Sequence, residues 1–175
     1  MKKSRTVLIV DEEASFRCLL AAALRDRGIE AFEARDAFEA FQKVSNLCNE
    51  NLPPDLLIIA IQMKVVNGAA LLDRLAERGH AFPVVFTSYF MDEALFAGLM
   101  RKQCVDFIEK PAPPEEVAAR IADTLHKGEE DRLPSRAVFR RKGGDAMIIE
   151  WSRPGPKGRE QGRIGVPEGG KGRYG

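Results

Sequence analysis

Pro54-Asp55-Leu56-Leu57-Ile58-Ile59-Ala60-Ile61-Gln62-Met63-Lys64-Val65-Val66-Asn67-Gly68 is the stretch on which the fold turns. From Leu56 to Ile61 it is apolar without alternation, opened by a Pro-Pro-Asp break and closed by a loop ending on Asn67-Gly68. Such a run reads as a strand buried on both faces, the habit of parallel sheets covered by helices. An open α/β sheet gathers its chemistry at the C-terminal ends of its strands. Here that end is Ala60-Ile61-Gln62, and the methyl group of Ala60 can neither ionise, attack nor ligate.

Outward from this stretch the same pattern recurs. Thr6–Val10 is a buried-strand run that ends on Asp11-Glu12-Glu13, and Ile29–Ala34 is a short strand. Phe82–Ser88 and Val105–Lys110 are two more, the second stopped by Pro111. Between them lie helical spacings. Ser15 is a candidate cap for Phe16, Leu19, Leu20, Ala23 and Leu24, with Gly28 as the stop. Asp36 to about Cys48 carries Phe38, Phe41, Val44 and Leu47 on one face. Gly68 opens a third helix with Leu71, Leu72 and Leu75, closed at Arg78-Gly79, and Met91–Lys102 is a fourth. Pro113-Pro114-Glu115-Glu116 puts proline and acids into the first turn of a fifth, through His126. Strand and helix alternate five times, which predicts an α/β fold: a doubly wound, five-stranded parallel sheet with helices on both faces.

Composition divides the chain. Of its 175 residues 45% are apolar, enough for a core, and the net charge is +1. Residues 1–132 hold 17 basic and 22 acidic groups, whereas 133–175 hold ten basic and four acidic ones. The expected organisation is a domain over 1–127, a linker over 128–135 and a β-hairpin over 136–151. A disordered, basic Gly/Pro-rich C-terminal tail over 152–175 completes it. Such tails hold nucleic acid through phosphates, but a solvated tail is the stronger expectation. Cys18, Cys48 and Cys104 read as reduced core thiols of a cytoplasmic protein. Asp11-Glu12-Glu13 cuts the first apolar run short of an export signal. No stretch reaches the length of a membrane span, and no membrane partner is expected.

The ends of the first, third, fourth and fifth strands present Asp11-Glu12, Ala60, Ser88 and Lys110. Carboxylates, a hydroxyl and an ammonium suit a divalent cation beside a phosphoryl group. Singly each is weak, since acids after a strand commonly start a helix and Lys-Pro is ordinary surface. Their joint placement is specific.

With Val-Leu-Ile-Val-Asp-Glu-Glu at 7–13, Pro-Asp-Leu-Leu-Ile-Ile-Ala-Ile-Gln-Met at 54–63, Asn67-Gly68, Pro-Val-Val-Phe-Thr-Ser at 83–88 and Asp-Phe-Ile-Glu-Lys-Pro at 106–111, the chain resembles the receiver domain of bacterial response regulators, a flavodoxin-like fold. The resemblance covers roughly residues 5–127. It implies Mg2+ held by Asp11, Glu12 and the Gln62 carbonyl, with Ser88 following the phosphoryl group and Thr87 as the neighbouring register. It also implies an aromatic switch at Phe107 and a phosphoryl contact from Lys110, whose bond to Pro111 is typically cis. Implied partners are a histidine kinase, a phosphotransfer protein or a downstream signalling protein, with a homodimer through the face of fourth helix, fifth strand and fifth helix. Phe90, Leu95, Phe96, Leu99 and Met100 give that face more apolar residues than one buried stripe needs.

The departure is at the centre, where the family's phosphoacceptor aspartate falls on Ala60. Lys64 replaces the usual proline and Tyr89 a small residue. Asp55 cannot substitute, lying about 16 Å away at the other end of the strand. The expectation is a non-enzymatic receiver domain that lacks its phosphoacceptor, binds Mg2+ weakly or not at all, and acts by protein–protein contact. Two alternatives stay open: an ordinary phosphorylated response regulator carrying an Asp-to-Ala change at position 60, and a nucleic-acid-binding regulator working through its tail.

Overall fold

The computed structural model describes residues 4–90, 94, 98–99 and 104–127, and the backbone of 136–140, 146–150 and 163–165. The chain divides into two compact units, residues 1–132 and 133–175.

In the first unit strands β1 (Thr6–Val10), β2 (Glu30–Ala34), β3 (Leu56–Ala60), β4 (Val84–Ser88) and β5 (Cys104–Glu109) form one sheet in the order β2-β1-β3-β4-β5, with every pairing parallel. β1, β3 and β4 are buried at every residue, as their unbroken apolar runs require. Helices α1 (Ala14–Arg25) and α4 (Pro114–His126) share a core cluster with Val7, Ile9, Ile58 and Val85. The alternate residues of the same strands face the other side, where α2 (Ala37–Asn49) and α3 (Gly68–Glu77) pack.

The helix starts follow capping chemistry. Asp36 accepts from Glu39 N at 2.8 Å, and Glu39 accepts in return from Arg35 N at 2.9 Å. Asn67 accepts from Ala70 N at 2.9 Å to start α3. The expectation that Ser15 caps α1 is corrected: Ser15 is its second residue, and Glu13 stands at the N-cap without a side-chain bond to the helix backbone. Asp11 serves the helix start instead, accepting from Glu13 N at 3.0 Å.

Two apolar faces are also corrected. The buried stripe of α1 runs through Phe16, Leu20 and Leu24, and leaves Leu19 58% exposed. That of α2 runs through Ala37, Ala40, Val44 and Leu47, so Phe38, one residue round from Ala37, is 73% exposed. Apolar residues outnumber the places on one helical stripe, and spacing alone does not say which are surplus. Cys18, expected in the core, is exposed on α1; Cys104 is buried, and desolvation followed by the charge of Asp106 pushes its thiol up to about 12.

The fourth helix expected over 91–102 lies largely outside the described residues; Ala94, Gly98 and Leu99 within it are helical and Leu99 is buried. α4 ends at His126, beside Ser4, Arg5, Gly28 and Asp55 in a groove at the N-terminal edge of the sheet.

In the second unit β6 (Arg136–Arg140) and β7 (Ala146–Glu150) pair antiparallel, within the span read as a hairpin, while Trp151 lies outside the described residues. Residues 152–175 were expected to form no structure, yet β8 (Arg163–Gly165) pairs antiparallel with β7. The free edge of β7 offers backbone donors and acceptors, and a strand can add there without an apolar side-chain pattern.

Candidate functional site

β1, β3, β4 and β5 all finish at the same edge of the sheet, and the residues just beyond them meet there. Ala60, the last residue of β3, is 6% exposed and lies in register with Thr87 of β4. One residue earlier Ile59 pairs with Val10, which brings Asp11 level with Ala60 on the other side. Gly68 begins α3 against this strand end. Its N donates to Ile61 O at 3.0 Å, and a Cβ at Gly68 would stand 2.6 Å from both the Ala60 carbonyl oxygen and Ile59 Cγ2.

Lys110 is the centre of charge. It follows β5, its N donates to Ser88 O at 2.7 Å, and its bond to Pro111 is cis. Its side chain is buried, as is that of Asp11, and Nζ donates to Asp11 Oδ2 at 2.6 Å. Nζ also reaches Glu13 Oε2 at 3.3 Å and lies 4.0 Å from the Phe16 ring centroid and 5.2 Å from that of Tyr89. The ammonium is thus enclosed by two carboxylates and two aromatic faces, a favourable setting for a desolvated cation. Tyr89 closes the cage by donating from its hydroxyl to Glu13 Oε2 at 2.8 Å. That bond, with Lys110 next to it, holds the Glu13 carboxyl below the usual range, and the same bond raises the Tyr89 hydroxyl.

The remaining candidates are spread around this cage. Glu12 turns away from Lys110 and accepts from Lys64 N at 2.6 Å. Ser88 is buried and its Oγ stands 2.8 Å from Gln62 Oε1, also within reach of the Phe90 carbonyl. Gln62 Nε2 donates to that same carbonyl at 3.1 Å, and Phe90 N donates to Ser88 Oγ at 3.0 Å. Phe107 is half-buried, and Arg120 fixes its surroundings by donating to Asp106 from Nη2 at 2.7 Å and Nε at 3.1 Å, and from Nη2 to Phe107 O. Thr87 Oγ1 is buried without a hydrogen-bond partner.

Asp11, Lys110, Ser88 and Gln62 therefore gather as their positions on the strand ends suggested. Glu13, Tyr89 and Phe16 belong to the same site and were missed as site residues. The third acid of Asp11-Glu12-Glu13 and the bulky residue after β4 were the available signals. The family's cation, Mg2+, meets a donor set that is already engaged. Asp11 is on Lys110, Glu13 on Lys110 and Tyr89, Glu12 on Lys64 N, and no group of three potential metal ligands occurs among the described residues. As arranged, these side chains do not fit a divalent ion. Among the described residues no helix is long and apolar enough to cross a membrane.

Known proteins place this arrangement in a family. The model of the response regulator receiver domain matches residues 7–122. The transcriptional regulatory protein TdiR of Thauera aromatica is 31% identical over 61% of this chain and 44% of its own length. The response regulator GtcR of Aneurinibacillus migulanus is 33% identical over 78% of this chain and 54% of its own. The chain thus spans about half the length of these relatives. A CheY-like receiver domain protein of Methanospirillum hungatei JF-1 shares the fold with a TM-score of 0.61 at 20% identity, covering 70% of this chain and 94% of that one. On the motifs, the sheet order and the match over 7–122, the chain belongs to the response regulator receiver domain family of two-component signalling.

Proposed function

We propose that this chain is a receiver domain without a phosphoacceptor, which works by protein–protein contact and not by accepting a phosphoryl group. The observation that carries the reading is Ala60 itself: the residue level with Asp11 at the end of the central strand is a buried methyl group. An aspartyl phosphate requires a carboxylate nucleophile there. Its partners are then a histidine kinase, a phosphotransfer protein or a downstream signalling protein that recognises the domain's surface. Mg2+ is not needed, and no catalytic role falls to the chain. Asp11, Glu12, Gln62, Ser88, Phe107 and Lys110 hold the pocket in shape rather than serving a reaction.

A second reading has a specific observation in its favour. Ala60 and Thr87 are register partners, so their side chains share one face of the sheet, and the Thr87 hydroxyl there lacks an acceptor. An aspartate at position 60 would bring one. On this reading the chain is an ordinary phosphorylated response regulator with an Asp-to-Ala change.

Acetyl phosphate tests both. The chain as given should take no acid-stable, hydroxylamine-sensitive label at this site, and a label on any pocket residue refutes the first reading. Ala60→Asp should melt lower, because a further acid beside Asp11 and Glu13 costs about 1 kcal/mol or more. Labelling of the introduced aspartate means that only the acceptor is missing. Its failure to label means that the site has diverged beyond one residue.

A further inference from the structure

Three strand ends are tied together over Lys110 by a chain of contacts. Tyr89, which follows β4, donates at 2.8 Å to Glu13 Oε2, which belongs to the loop after β1. The same oxygen receives Lys110 Nζ from the residue after β5. The segment 88–90 is fixed on its other side too, since Gln62 Nε2 holds the Phe90 carbonyl and Phe90 N binds Ser88 Oγ. The segment after β4 therefore spans the mouth of the pocket with an anchor on each bank. Beneath it Lys110 has Asp11 and Glu13 as ion partners and the Phe16 and Tyr89 rings at 4.0 and 5.2 Å.

We propose that Tyr89 and Glu13 form a strap that reserves the pocket's deeply buried carboxylate, Asp11, for the Lys110 ammonium, and so excludes a divalent cation from the site. This inference rests on the metal-free reading above and extends it, because it assigns the exclusion to the strap as well as to the missing acid. A divalent ion on Asp11 would share a carboxylate with a buried ammonium and be repelled by it. To relieve that, Lys110 must swing off, and it stays because its second carboxylate is held in place from outside. Tyr89 is a positioning residue: its hydroxyl fixes Glu13, and Glu13 fixes Lys110. Tyr89 is 57% exposed, so replacing it leaves the core intact.

The test compares Mg2+ affinity, read by titration calorimetry, between Ala60→Asp and the double variant Ala60→Asp/Tyr89→Phe. The phenylalanine keeps the ring over Lys110 and removes only the hydroxyl. The double variant should bind Mg2+ roughly fivefold more tightly, the equilibrium worth of one ordinary hydrogen bond. A gain under about twofold, or no binding by either protein, overturns the strap, given that a hydroxyl's bond is rarely worth less. Should Ala60→Asp fail to fold, Ala60→Asn, which also supplies an oxygen ligand, replaces it in both proteins under the same titration and the same criterion. Labelling by acetyl phosphate plays no part in this comparison, so the strap can fail while the acceptor-less reading stands, and the reverse.

Discussion

At the scale of single residues, the pocket is a balance between one buried cation and the groups around it. The Lys110–Asp11 pair was legible in the sequence as two residues at strand ends on the same edge of the sheet. What the sequence did not disclose is that they satisfy each other, because a strand end gives a residue's place and not its partner. Glu13 was hidden for the same reason, as the last of three consecutive acids, each equally able to start a helix. Thr87 carries the sharpest residue-level prediction. Its hydroxyl is buried and unpartnered, so Thr87→Val should raise stability by about 1 kcal/mol. Urea denaturation reads this as a shift of the midpoint at constant slope. In the Ala60→Asp background the gain should shrink or reverse, since the introduced carboxylate gives Thr87 an acceptor. Equal gains in both backgrounds would mean that the hydroxyl and position 60 do not interact.

Among the elements, the strands were the most legible. Their non-alternating runs come from burial on both faces, and β1 was read with the bounds it has, while β3 and β4 differ by one or two residues at an end. The helices were legible as elements but less so as surfaces. Leu19 and Phe38 were misassigned because a stripe is chosen by what it packs against, which lies far away in the chain. β8 was hidden because its pairing draws on backbone groups that every sequence has. The join between β3 and α3 is governed by Gly68, where a Cβ has no room against the Ala60 carbonyl. Gly68→Ala should therefore destabilise the domain by about 1–3 kcal/mol, the usual cost of overpacking, despite the better helix propensity of alanine. A midpoint in urea equal to that of the unchanged protein would count against the close approach. The Asn67 cap one residue earlier is not touched by this substitution, which keeps the effect attributable to space.

For the molecule as a whole, the acidic and basic halves seen in composition fall on the two compact units. The core cluster of the first unit runs from Val7 on β1 to Leu125 on α4. A chain ending at Arg132 should accordingly unfold in one cooperative transition and keep its ellipticity, as small single domains do. A broad, non-cooperative melt would show that the first unit cannot stand alone. α4 has a further consequence. Its 13 residues make a rod about 20 Å long that begins just after Lys110 and Pro111 and finishes in the groove with Ser4, Arg5 and Asp55. His126 and Lys127, at the end of α4, thus lie at the pole opposite the pocket. A dye, bead or sensor surface attached at Lys127 would hold the domain by its base, with the strand ends that carry Lys110 at the far pole.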